Sequence, residues 1–238
     1  MKLIIFDIDG TLTNTNRVDE ECFVQAFADL YGVTGINTNW ADYPHATDSG
    51  ITLQIFQERW GRAPTPAEVA SLKQSFVSFM QRQFSIDPTL FEEIPGAAST
   101  LDRLRQQSEW AVAIATGCWS ESAGMKLKAA GIDASGIPLA CADDSLSREE
   151  ILRAAVSKAQ AHYAQPEFER IVSIGDGVWD VLTALHLNFA FIGIGSKEHE
   201  KLLRATGATF VIEDYSDFEQ MARGLSEAEI PKNLKESN

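Results

Sequence analysis

Six short apolar runs, at about 2–6, 110–115, 137–141, 170–174, 189–193 and 208–212, constrain this chain most. Each is built from Val, Ile, Leu, Ala or Phe with little polar alternation, the pattern of strands covered on both faces. Helical periodicity fills the gaps, at about 97–107, 120–130, 147–162, 178–186, 197–205 and 216–224. Strand–helix repeats of this kind predict a doubly wound parallel sheet, an α/β fold with helices on both sides.

One stretch departs from that rhythm. Residues 15–90 contain no convincing strand. Cys22, Phe23, Ala26, Phe27, Leu30 and Tyr31 share one helical face, and Val69, Leu72, Phe76, Met80 and Phe84 share another. Thr65-Pro66-Ala67-Glu68 carries a capping box and a proline at the first helical position, and a further helix is expected over 48–60. The expected organisation is an α/β core of residues 1–14 and 91–225, a small all-helical cap domain of 15–90 inserted after the first strand, and a frayed polar tail, 226–238.

In doubly wound sheets, ligands bind at the carboxyl ends of the strands. The first run ends in Asp7-Ile8-Asp9-Gly10-Thr11-Leu12, the second in Thr116-Gly117, and the fourth in Gly175-Asp176-Gly177-Val178-Trp179-Asp180. A lone Asp after a strand is usually a turn or helix-cap residue. Two acids flanking Ile8 plus a second acidic group on the same edge are poorly explained that way. Oxygen ligands so clustered suit a hard cation such as Mg2+. Asp180 taken alone also fits an exposed position in the first turn of a helix.

Asp7-x-Asp9-Gly10-Thr11-Leu12, then Thr116, then Gly175-Asp176-x-x-x-Asp180, resemble in order and spacing the haloacid dehalogenase-like hydrolase superfamily, across nearly the whole chain. The resemblance implies Asp7 as nucleophile and Asp9 as general acid/base, with the Asp9 carbonyl as a metal ligand. It also implies Thr116, with Gly10 and Gly117, around the phosphoryl oxygens, Asp176 on magnesium, and Asp180 supporting it. Asp9 further points to phosphate ester or anhydride chemistry rather than dehalogenation. The superfamily's usual phosphate-binding lysine followed by proline is missing. Arg148, at the first helical position after a Ser147–Glu150 capping pattern, is expected in that role, with Lys158 as the substitute. Substrate selection is expected in the loop from Trp40 to Asp48, with His45 and Thr47 as candidate contacts; aromatics there also suit a small core. Ser120 suits a helix N-cap, and Cys118 has no visible activating partner.

Composition excludes some classes. A formal net charge of −14 argues against nucleic acid as partner. No uncharged apolar stretch long enough to span a membrane is present, and the amino terminus does not read as a signal peptide. Cys22, Cys118 and Cys141 form neither a disulfide framework nor a metal spacing, which fits a reducing cytoplasm. The expected function is therefore magnesium-dependent hydrolysis of a small phosphorylated metabolite. The alternative is a phosphomutase acting on sugar phosphates, disfavoured by five basic against nine acidic residues in 15–90. A phosphoacceptor domain would be shorter and lack the helical insertion. The Asp7-Ile8-Asp9-Gly10 turn is not a dinucleotide-binding Gly-x-Gly-x-x-Gly.

Overall fold

The computed structural model describes residues 1–233. Six strands form one parallel sheet: β1 (Lys2–Phe6), β2 (Trp110–Ala115), β3 (Leu139–Ala140), β4 (Ile171–Gly175), β5 (Ala190–Ile194) and β6 (Phe210–Ile212). Their order is β3-β2-β1-β4-β5-β6. The chain runs outward from β1 to β3, then crosses back to β4 on β1's other side, so β1 sits at the switch point of a doubly wound sheet. Register pairs Phe6 with both Ile114 and Ile174, which brings the residues after β1, β2 and β4 to one edge.

Helices follow as the periodicity predicts. On the sheet lie α4 (Ala97–Arg105), α5 (Ser120–Ala129), α6 (Arg148–His162), α7 (Val178–Leu187), α8 (Lys197–Thr206) and α9 (Phe218–Glu227). Leu3, Ile5 and Ala113 pack one way, against α6 residues Ile151 and Ala155; Ile4, Phe6 and Val112 pack the other way, with Leu101 and Leu127. This is the two-sided burial that non-alternating strands require.

Between β1 and β2 the chain forms α1 (Asn16–Tyr31), α2 (Asp48–Trp60) and α3 (Pro66–Ile86), with short 3-10 turns at Trp40–Asp42 and Pro88–Phe91. No strand lies between β1 and β2 among the described residues. Thr65 and Glu68 form the expected capping box at the start of α3. The layer has its own apolar cluster, which includes Phe23, Phe27, Phe56, Leu72, Phe76 and Met80. Trp119, from the sheet side, is inserted into it at 5.9 Å from Phe23 and 6.1 Å from Phe76, ring centre to ring centre.

Two expectations fail. Ser120 is the first helical residue of α5 rather than its N-cap, because carboxylates from other segments cap that end: Asp48 Oδ2 accepts from the Trp119 N–H and Asp143 Oδ2 from the Ser120 N–H. The segment after α9 is docked rather than frayed. The Phe191 N–H donates to the Glu229 carbonyl at 3.1 Å and the Lys232 N–H to the Gly207 carbonyl at 2.9 Å, while Ala228 is buried. Its backbone groups are held by β5, by the loop after α8 and by the side chains of Arg170 and Thr209, so the polar side chains of the segment itself do not decide its order. Residues 234–238 of the expected tail lie outside the described residues.

Phe76 is fully buried at the contact of α3, α1 and Trp119. Truncation to Ala should cost about 3–5 kcal/mol, measured as the shift in a urea unfolding midpoint at constant m-value. A loss below about 1 kcal/mol would show that the layer repacks.

Candidate active site

Asp7 follows β1, Asp176 follows β4, and Asp180 lies in the first turn of α7. Carboxylate oxygens of the three lie within 4.8 Å of one another, and all three residues are buried. Asp180 is held twice: Oδ2 accepts from the Gly177 N–H at 2.9 Å and Oδ1 from Arg148 Nη1 at 2.7 Å. Its position is thus inside the cluster, not on the surface. Asp176 Oδ2 accepts from Asn16 Nδ2 at 2.8 Å. Asp7 Oδ1 is buried with no hydrogen-bond partner.

The local backbone is shaped around these acids. Gly10 has φ +69°, and a Cβ there would lie 1.9 Å from Asp176 Oδ2 and 2.4 Å from Asn16 Nδ2. Only glycine meets both demands. At Gly117 a Cβ would lie 2.7 Å from Arg148 Nη2 and 2.9 Å from the Ala46 carbonyl, so the loop after β2 must be bare where the guanidinium passes.

Arg148 enters this cluster, as the sequence suggests. Its Nη1 is 3.9 Å from Asp7 Oδ2, its Nε donates to the Ala46 carbonyl at 2.9 Å, and its guanidinium stands 5.3 Å from the Trp179 ring centre. Ser147 caps the helix below it, accepting from the Glu150 N–H. Lys158 does not reach the site. It binds both oxygens of Asp144 and the Leu139 carbonyl, and is 43% exposed.

Electrostatics follow from burial. Burial, then the charges of Asp180, Asp176 and Asp9, push Asp7 well above the ordinary carboxylate range, against Arg148. Burial and Asp180 push Asp176 up to about 7, against the Asn16 hydrogen bond. Burial also raises Asp180 despite Arg148. One guanidinium is insufficient for three acids, so the cluster has room, oxygen ligands and charge for a hard cation.

Asp9 points elsewhere. Its Oδ2 accepts from Lys126 Nζ at 2.6 Å and from Cys118 Sγ at 2.8 Å; its Oδ1 accepts from Thr15 Oγ1 at 2.5 Å. Burial opposes its charge, but Lys126 and these hydrogen bonds outweigh it and hold the carboxyl below its usual value. Lys126 also pairs with Asp19, where burial prevails and pushes the carboxyl up to about 6. Asp9, Asp19 and Cys118 could together offer ligands to a metal, but the ammonium of Lys126 already serves as their cation. Burial and the Asp9 charge push the Cys118 thiol up, away from a reactive thiolate.

A cavity of about 410 Å³ opens beside these groups, lined among others by Asp9, Asn16, Asp48, Gly117, Arg148 and Trp179. Thr116 is buried at the end of β2, where its Oγ1 accepts from the Cys118 N–H at 3.2 Å. Thr47 lies on the cavity wall, yet its hydroxyl is occupied as the N-cap of α2, accepting from the Gly50 N–H and donating to the Leu146 carbonyl. His45 faces a separate hollow of about 210 Å³ with Glu149 and His186. The Thr47 hydroxyl is thus engaged within the protein, and His45 lines the second hollow, which shares Trp40, Ala46, Arg148 and Trp179 with the main cavity. Trp40 packs on Phe23 and Tyr43 on Trp40, the small-core arrangement.

Sequence reasoning missed Lys126, Asp19 and Asn16. One signal was available: Lys126 shares the apolar face of Ala123, Leu127 and Ala130, spaced at three, four and seven residues, so it could not be a surface lysine.

The comparisons bear on the fold and the family. Among curated proteins, none matches the sequence significantly. A hydrolase from Pseudomonas syringae is 23% identical, covering 94% of this chain and 98% of that one, with a TM-score of 0.68. CbbY from Rhodobacter sphaeroides, solved with xylulose-(1,5)bisphosphate, is 18% identical over 91% and 96%, with a TM-score of 0.67. A predicted phosphoglycolate phosphatase from Haemophilus somnus is 17% identical over 93% and 98%, with a TM-score of 0.60. At these identities the structures share the fold. The family model for haloacid dehalogenase-like hydrolases matches residues 1–188, and with that match the chain belongs to the haloacid dehalogenase-like hydrolases.

Proposed function

We propose that this hydrolase cleaves a small phosphate monoester or anhydride, with magnesium, through a phosphoryl-aspartate on Asp7. The observation that carries the reading is the orphaned Asp7 Oδ1, buried beside two more acids and within 3.9 Å, through Oδ2, of a guanidinium. An unpartnered buried carboxylate oxygen is costly unless an ion or a reacting group meets it. Asp7, Asp176 and Asp180 fit a hard cation by ligand type and burial, and the family pattern adds the Asp9 carbonyl. When bound, magnesium neutralises phosphoryl oxygens and so lets two anions approach.

The chain's own residues supply the rest. An Asp7 oxygen attacks phosphorus while the bond to the leaving oxygen breaks. Arg148 is oriented by Asp180 and the Ala46 carbonyl to take phosphoryl charge. The Thr116 hydroxyl accepts from the Cys118 N–H and keeps its proton to donate. Asp9 protonates the leaving oxygen; in the second half it removes a proton from the water that opens the aspartyl phosphate. With Lys126 beside it, Asp9 rests in the anionic form that the second half requires, and the first half requires it to take up a proton as substrate enters.

The helices of residues 15–90 act in this reading as a cap domain whose loop at 46–48 covers the site. Among the described residues that line the cavity, the one cation beyond Arg148 is Arg17, against Asp9, Asp19, Glu20 and Asp48. A second phosphate is therefore poorly received, which favours hydrolysis over phosphoryl shuttling on a bisphosphate.

A screen of phosphorylated metabolites with magnesium should show phosphate release that Asp7→Asn abolishes; turnover that survives this change or a chelator sinks the mechanism. Arg148→Ala should lower kcat about 100-fold or more, with Lys158→Ala within about threefold of wild type; the reverse result would transfer the role to Lys158. Asp176 also sets a pH dependence. Its pKa is raised from 3.8 to about 7 in the metal-free fold, so folded protein binds more protons than unfolded chain in that window. The stability it contributes is complete below about pH 4 and is lost as pH rises through about 7. Without metal, Tm should fall across this range, and magnesium should restore most at the high end. Thermal melts with chelator or magnesium check this, and a magnesium increment independent of pH contradicts it.

A further inference from the structure

We infer that Lys126 is the positioning residue for Asp9, and that it locks Asp9 to the helical layer through Asp19; this rests on the phosphohydrolase reading. Lys126 is 0% exposed on α5, with its Nζ 2.6 Å from Asp9 Oδ2 and 3.0 Å from Cys118 Sγ, and it pairs with Asp19 of α1.

Stability does not ask for this lysine. Taking an ammonium and two carboxylates out of water is expensive, and an apolar side chain of similar volume often does as well. Ala123 and Leu127 beside it are already apolar and buried. What the lysine does supply is direction. Thr15 Oγ1 holds Asp9 Oδ1 at 2.5 Å while Lys126 holds Oδ2, so the carboxylate is gripped at both oxygens on the cavity wall. Thr15 directly precedes α1 and Asp19 lies within it. The grip on Asp9 is therefore shared between α1 and α5, one from the helical layer and one from the sheet side. Asp19 would repel Asp9 without the ammonium between them, and proton transfer to a leaving oxygen tolerates little displacement: a shift of about 1 Å can cost on the order of 100-fold.

A leaving-group comparison tests the role. Lys126→Met and wild type are assayed in single turnover with 4-nitrophenyl phosphate, whose phenolate departs unprotonated, and with the best phosphorylated alcohol from the metabolite screen, whose alkoxide needs a proton. The expected result is a loss on the order of 100-fold for the alcohol ester, about threefold or less for 4-nitrophenyl phosphate, and a KM little changed. Equal losses on both esters reduce Lys126 to a structural element and overturn the inference, as does an unchanged rate on both. If the single variant does not fold, Lys126→Met with Asp19→Asn removes the lysine together with one of its acids, and the same comparison decides. A wild-type protein inert toward both esters while folded and magnesium-loaded overturns the phosphohydrolase reading, and the positioning role with it.

Discussion

Like charges that must be buried together govern this molecule. Two unit charges 4 Å apart repel by about 4 kcal/mol at an effective dielectric near 20, and here Asp7, Asp176 and Asp180 meet within 4.8 Å. The fold answers with two internal cations. Arg148 serves Asp7 and Asp180, and Lys126 serves Asp9 and Asp19. The division separates two neighbouring acids in space. Asp9 has a full cationic partner, which holds its carboxyl below the usual value, whereas Asp7, Asp176 and Asp180 share one guanidinium and are left short of positive charge.

That electrostatic plan reaches into the backbone. Gly10 and Gly117 are bare because a carboxylate and a guanidinium occupy the space their side chains would need. It also explains how the helical layer is seated. The start of α2 and the two residues before it are tied to the sheet side by bonds from Arg148 to the Ala46 carbonyl, from Thr47 to the Leu146 carbonyl, from the Asp48 N–H to the Gly117 carbonyl, and from Ser49 to the Ala142 carbonyl. Trp119 adds an apolar anchor a few residues away, its Nε1 donating to Ser49 Oγ at 2.8 Å. Arg148 also bonds Asp180, and Cys118, next to Gly117, bonds Asp9, so the layer is tied to the sheet beside the acids as well as through apolar surface.

The sheet, its helices and the acids at its edge were legible in the sequence because each depends on local pattern: unbroken apolar runs, 3.6-residue periodicity, and Asp at strand ends. Arg148 was legible because a cation at a helix start is locally unfavoured and so calls for a reason. The pairing of Lys126 with Asp19 was not, since it joins residues more than a hundred positions apart; Asp19 alone reads as a solvated charge, and the apolar face around Lys126 signals its burial but not its partners. Thr47 shows a second limit: local pattern did not reveal that its hydroxyl caps its own helix and bonds the Leu146 carbonyl. The docking of residues 228–232 was hidden for a different reason, because on the segment's own side it is made through backbone groups that every sequence carries, and its partners, Gly207, Thr209, Phe191 and Arg170, are distant in sequence.

That docked segment has a practical side. Ala228 and Glu229 bond to Arg170 and Phe191, at the amino ends of β4 and β5, whereas Asp7 and Asp176 follow the carboxyl ends of β1 and β4. The docked segment thus lies on the opposite rim of the sheet, with Lys232 on Gly207 before β6. A label or crosslink placed on residues 228–232 would therefore leave the acids' edge of the sheet untouched.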